Sequence, residues 1–176
     1  MISQLLLADL LHFIIYATLL ILSGLAVRLS ASSLGPATRR STPIDGGIIR
    51  SLLVRKSPLE TFIRIYGWNV AVSSLVIFSG SITLGVLPAV WAFINLGVLF
   101  PDLNLFKIYA YPWVEETANV LSVAFGMWIG RNLDVLLSSP AILPWIALII
   151  PGTYMISVLL ETYEIHRSED LISPAC

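Results

Sequence analysis

Apolar runs long enough to cross a lipid bilayer recur along this chain, and they limit its possible folds more than any other feature. Leu5 to Val27, Ile82 to Phe100, Pro112 to Gly130 and Ala141 to Leu160 each approach or exceed the ~20 residues a helix needs to cross a ~30 Å hydrocarbon core. Ile65 to Phe78 is charge-free over only roughly 20 Å at 1.5 Å per residue. It spans if Arg64 snorkels to the interface, and the competing arrangement is a hairpin over 65–100 that dips in without crossing. With 12% charged residues, against about 25% in soluble domains, and a mean hydropathy of +0.87, the chain cannot solvate a globule of its size. The expected fold is all-α, a polytopic bundle of about five transmembrane helices.

Taken in order, the chain divides into a first span (1–28), a basic loop (29–64), a four-helix membrane region (65–161) and a polar tail (162–176). The apolar stretch of the first span is longer than that of a signal peptide, and MISQ before it has no basic residue, so an uncleaved span is expected. From Arg28 to Arg64 the chain holds seven of its ten basic residues, and Ser, Gly and Pro crowd the first part of this stretch, ASSLGPATRRSTPIDGG. Ile48 to Val54 is a short apolar run, expected to lie along the interface with Arg50, Arg55, Lys56 and Arg64 toward lipid headgroups. Ser57, Pro58 and Glu60 then read as an N-cap, first helical residue and capping-box partner. SGS at 79–81 predicts a tight turn, Pro88 a kink in the following helix, and Pro151-Gly152 a break in the last. Trp68, Trp113, Trp128 and Trp145 fall near span ends, as an aromatic belt requires, whereas Trp91 is expected to pack inside.

Within 112–130, Ala118, Ser122, Gly126 and Gly130 recur every four residues and form a stripe along which another helix can approach closely. Glu115 and Asn119 lie beside it at helical spacing, and Glu116 is adjacent. Either these carboxylates complement the dipole of the helix's first turn at the interface, or they mark an ion or proton path at membrane depth. Asn69 and Asn95 need interhelical partners, Asp9 and His12 share a face of the first span, and Glu161 closes the last.

Placing the 29–64 loop in the cytoplasm puts nine basic residues inside and Arg131 alone outside, so the positive-inside rule predicts a multi-pass cell-membrane protein with its N-terminus outside and its C-terminus cytoplasmic. A lone Cys176 excludes an internal disulfide or cysteine cluster, and His12 and His166 are far apart, so neither a metal nor a cofactor is expected.

From Asn69 onward the pattern resembles the stage II sporulation protein M family of small bacterial and archaeal membrane proteins. The matching positions are Asn69, Gly80 with Gly85, Asn95 with Gly97, Glu115 followed by Gly126 and Gly130, and Glu161. Leu96 interrupts the family's Asn-Gly pair, and Tyr111 and Pro112 stand where the family has His-Gly. The resemblance implies a scaffold or accessory subunit of a membrane complex, acting in membrane remodelling.

The chain has no His-Glu-x-x-His pattern and no Gly-x-x-x-x-Gly-Lys loop, and adjacent glutamates on a helix point about 100° apart, so no enzyme is expected. The expected partners are the lipid bilayer and other membrane proteins or a second copy, with no nucleic acid, since anionic lipid already accounts for the basic loop. The leading expectation is a non-catalytic scaffold docking through the Ala118 to Gly130 stripe. The alternative is a small transporter or channel, or a subunit of one, that uses Glu115 and Asn119.

Overall fold

The computed structural model describes residues 2–33, 57–98, 105–138 and 143–172, and side chains over most of them. The expected interfacial segment with Arg50, Arg55 and Lys56 lies outside the described residues. The described residues are helical, with no strand among them. They form α1 (Ile2–Ser33), α2 (Pro58–Thr83), α3 (Val86–Trp91) continued by a π-helical stretch (Ala92–Val98), α4 (Leu105–Ile108), α5 (Tyr111–Arg131), α6 (Leu133–Ser138) and α7 (Leu143–Ile172). Three stretches are long and apolar enough to cross a membrane: Ala8–Ser30, Pro58–Thr83 and Leu143–Arg167. The expected full-length third span is a shorter apolar helix, Val86–Val98.

α5 is the axis of the bundle. Every residue from Ser122 to Gly130 is buried, so this half of the helix is enclosed on all sides, as only a central helix is. Its neighbours divide the enclosure. Val123, Ala124 and Met127 pack with Ala17 and Ile21 of α1, Val76 of α2, and Ala92 and Leu96 of the π-helical stretch. Phe125, Trp128 and Ile129 pack with Leu136 of α6 and Ile146, Ile150 and Tyr154 of α7. A third cluster joins α2 and α7 alone, through Ile65, Val158 and Ile165. Contacts fix the directions. Asn69 meets Glu115, Ser73 meets Ser122 and Gly80 meets Gly126, so α2 and α5 run parallel, whereas Thr61 meets His166, so α7 runs against α2. The outer faces of α1, α2 and α7 expose Leu19, Leu75, Phe78, Leu148 and Ile156, among others, as lipid-facing helices do.

The hairpin between α2 and α3 turns at Leu84 and Gly85, not at Ser79–Ser81. Ser79 and Ser81 donate to the carbonyls of Val76 and Phe78, and Thr83 to that of Ser79, so the hydroxyls are satisfied inside the helix and have no need to break it. Leu84 (φ 53) and Gly85 (φ 84) adopt the left-handed region, and the Gly85 N–H closes on the Gly80 carbonyl at 2.9 Å. Pro88 consequently falls in the first turn of α3, where its missing N–H costs nothing, and the irregularity appears later, in the π-helical stretch.

Pro151 does not break α7, which is assigned as one helix of 30 residues and continues through most of the expected polar tail. Where hydrocarbon offers no other hydrogen-bond partner, a helix that gives up one bond is favoured over an open chain. Thr153, donating to Ile149 O at 2.8 Å, adds a side-chain bond within the same turn. α2 begins at Pro58 as expected, with Ser57 at the N-cap position, but no side-chain capping bond forms there. The tryptophans also depart from expectation. Trp128 is fully buried beside α7, whereas Trp91 is 37% exposed, because the later turn rotates α3 and places the small Ala92 and Pro88 inward instead.

Candidate functional site

The polar residues of three helices converge on one column. On α5, Glu115, Asn119 and Ser122 share a face; on α2, Asn69 and Ser73 are one turn apart; on α7, Tyr154, Ser157 and Glu161 recur at three- and four-residue spacing. At the end of the bundle marked by the α2 N-terminus, His166 and Thr61 lie 3.4 Å apart. One layer deeper, Ser157 donates to the Tyr111 carbonyl at 3.1 Å. Asn69 Nδ2 donates to Glu115 Oε1 at 3.3 Å, and Tyr154 OH donates to Asn119 Oδ1 at 2.6 Å. Ser73 and Ser122 close the column at 2.5 Å. Since Ser122 also donates to Ala118 O at 2.7 Å, Ser73 is the donor within that pair.

Three carboxyl groups meet there. Glu116 and Glu161 both lie within electrostatic reach of Glu115. The Tyr154 hydroxyl occupies the Asn119 oxygen, so the Asn119 amide nitrogen is the end available to the neighbouring Glu116 carboxylate. Glu116 Oε2 is buried with no hydrogen-bond partner. A carboxyl group buried this way requires either a proton of its own or a cation beside it. Among the described residues, no group of three or more His, Cys, Asp or Glu side chains is arranged to hold a metal ion.

Below the column the interface is closed by backbone. Gly80 of α2 lies directly on Gly126 of α5, and Gly130 lies against the Gly80 carbonyl and the Leu84–Gly85 turn. A Cβ added at Gly126 would sit 2.7 Å from Pro88 Cγ and 3.0 Å from Val76 O. Polar groups thus recur from the His166 end as far as Ser73, interleaved with the apolar Ile65, Val158 and Ile165 cluster, and small residues seal the α2–α5 interface beyond them. Thr61 to Ser73 measures about 18 Å along α2.

Of the expected site residues, the structure brings together Glu115, Glu116, Asn119, Asn69, Ser122 and Glu161. Glu115 and Glu116 lie in the second turn of α5, since the helix begins at Tyr111, so the first-turn dipole role expected for them does not apply. The stripe of Ala118, Ser122, Gly126 and Gly130 is buried within the chain's own bundle and is not an outward docking face. Asp9 and His12 are exposed on α1, where His12 Nδ1 bonds Ala8 O at 2.8 Å, and they take no part in the column. No hydrogen bond joins Asn95 to another helix among the described residues. Arg64 is exposed on α2.

Tyr154, Ser73 and Ser157 were not anticipated. The available signal was spacing: Ser73 follows Asn69 by one turn, and Tyr154 lies one and two turns before Ser157 and Glu161. Tyr154→Phe is expected to destabilise the bundle by about 1 kcal/mol, because Asn119 Oδ1 loses its donor inside an apolar bundle. Reversible unfolding in mixed detergent micelles measures this, and an unchanged midpoint would remove Tyr154 from the column. No protein family, curated protein or solved structure matches this chain.

Proposed function

We propose that this chain is a polytopic membrane protein that takes up and releases protons at the Glu115, Glu116 and Glu161 cluster, as a small transporter or channel or as a subunit of one. The observation that carries this reading is that Glu116 on α5 and Glu161 on α7 lie within electrostatic reach of Glu115, which Asn69 of α2 contacts, and that Glu116 Oε2 is buried without a partner. Protons are favoured over metal ions because the surrounding groups, Asn69, Asn119, Tyr154 and two serines, are engaged in hydrogen bonds, and no set of His, Cys, Asp or Glu side chains among the described residues is arranged to hold a metal. The polar side chains lie toward the His166 end of the bundle, and the glycine seam closes the α2–α5 interface on the other side of the carboxyl groups. The scaffold reading loses its main support, because the stripe assigned to docking is occupied by α2 and the α2–α3 turn.

Five spans suit this arrangement: α1, α2, α3 with its π-helical continuation, α5 and α7. α2 from Arg64 to Thr83 measures about 30 Å, one hydrocarbon thickness. α5 rises beside it over a similar length, and the short α3 returns packed against both. With the 29–64 segment assigned to the cytoplasm, the α2 N-terminal end of the bundle faces that side and Arg131 the opposite one. Of the positions that carry the stage II sporulation protein M resemblance, Asn69 meets Glu115, and Gly80 and Gly85 meet Gly126 and Gly130.

The test is proton flux into vesicles that contain the purified chain and a trapped pH-sensitive dye, driven by an imposed potential. Glu115→Gln keeps the shape and the Asn69 contact but removes the titratable group, and is expected to lower flux at least about tenfold. Gly67→Ala, with nothing within 4 Å of the added carbon, is expected to leave it unchanged. Wild-type flux no greater than that of empty vesicles, or full flux in Glu115→Gln, rejects the reading. Co-purification of defined membrane partners in fixed proportion would make the chain a subunit; recovery alone or as a homo-oligomer would make it self-sufficient.

A further inference from the structure

α2 and α7 continue past the start of α5 as a pair, and an open groove of about 720 Å³ lies between them, lined by Leu59, Phe62, Leu159, Thr162, Tyr163 and Arg167, among others. It occupies the first turns of one membrane-crossing stretch and the last turns of another. α2 is about 39 Å long at 1.5 Å per residue, more than the ~30 Å hydrocarbon core, so these turns reach the headgroup layer. The groove is therefore apolar along its length and carries a cation, Arg167, at its outer end.

Thr162 supplies an independent observation. Its side chain is only 7% exposed, it lines the groove, and its hydroxyl has no hydrogen-bond partner. Threonines elsewhere in these helices, Thr18 and Thr153, donate to the carbonyl one turn back, at 2.9 and 2.8 Å. Thr162 does not, which leaves its hydrogen for an acceptor in the groove. His166 is already engaged with Thr61 and is not counted as a ligand.

We propose that this groove holds one anionic glycerophospholipid. An acyl chain lies along Phe62 and Leu159, the Thr162 hydroxyl donates to an ester carbonyl, and Arg167 faces the phosphate beside Leu59 and the N-terminus of α2. Tyr163, 61% exposed, sits at the depth where aromatic side chains meet headgroups. The groove lies at the bundle end toward which the basic loop leads, where anionic lipid is the natural counterpart. This proposal is independent of proton handling at Glu115.

The test is native mass spectrometry of the full chain released from detergent after exposure to phosphatidylglycerol or phosphatidylcholine. One retained phosphatidylglycerol, in preference to phosphatidylcholine, is expected. Arg167→Gln, an exposed change that leaves the packing intact, is expected to reduce that preference about fivefold. Thr162→Val is expected to weaken retention of both lipids alike, and Arg131→Gln, at the opposite end, to change neither. Equal retention of the two lipids by the wild type, or an unaltered preference in Arg167→Gln, overturns the proposal. Complete displacement of the lipid by inorganic phosphate alone also overturns it, by showing a site for phosphate and not for lipid.

Discussion

Gly80→Val is expected to prevent α2 from seating on α5, with a loss of about 3 kcal/mol or more and little folded protein recovered from the membrane. The added Cβ would fall on the Gly126 carbonyl group, which is backbone of a helix buried on all sides and cannot swing away. The two helices would have to separate, and separation also opens the Ser73–Ser122 contact one layer up. Gly67→Ala on the same helix has nothing within 4 Å of its new carbon, and the gain in helix propensity makes it neutral or stabilising by up to about 1 kcal/mol. Unfolding titrations of the two variants in mixed micelles provide the comparison. If Gly80→Val were as stable as wild type, the parallel α2–α5 contact would be wrong. The same contact explains why loss of partner binding in Gly126→Leu would not identify a docking face: a leucine there would meet Pro88 and Val76 of its own chain first.

Trp128→Ala is expected to cost about 3 kcal/mol, the second largest effect of a single change. Trp128 is fully buried, edge-on to Phe125 with ring centres 6.4 Å apart, and packs against Ile146, Ile150 and Tyr154 of α7. In a membrane the excluded solvent is as apolar as the side chain, so the loss comes from the cavity and the forfeited contacts, not from transfer out of water. Trp128→Phe is expected to cost about 1 kcal/mol or less, since much of the ring remains and the indole N–H, which has no partner, is removed. Equal destabilisation by the two substitutions would overturn the cavity account, because phenylalanine fills most of the space that alanine leaves empty. The expected ordering has alanine clearly worse than phenylalanine.

The positions of breaks were the least legible part of the sequence. Ser79–Ser81, Pro88 and Pro151-Gly152 all carry turn or kink chemistry that operates in water, where a freed backbone group finds another partner. In a membrane helix the serine hydroxyls bond back to their own carbonyls, and the proline in α7 is carried without interruption. The turn fell at Leu84–Gly85, where a positive φ at Gly85 coincides with the close approach of Gly130, and no local pattern marks that coincidence. The site was legible in half. Glu115, Glu116, Asn119 and Asn69 stood out as polar residues in apolar runs, but their partners Tyr154 and Ser157 look like ordinary members of the last span.

The all-helical class, the membrane-crossing character of the long apolar stretches and the small-residue face of α5 follow from the sequence alone. Each depends on a repeat within one helix and on the need to satisfy backbone groups without water. What that small-residue face packs against, and which carboxyl groups meet, were decided by the tertiary structure. Helices of nearly uniform apolarity have no preferred inward side, as the exposed leucines and isoleucines of α1, α2 and α7 show. Their rotation and partners are set by backbone fit, with Gly80 on Gly126 and Gly24 on Gly97, and by the few hydrogen bonds that polar side chains find across the bundle.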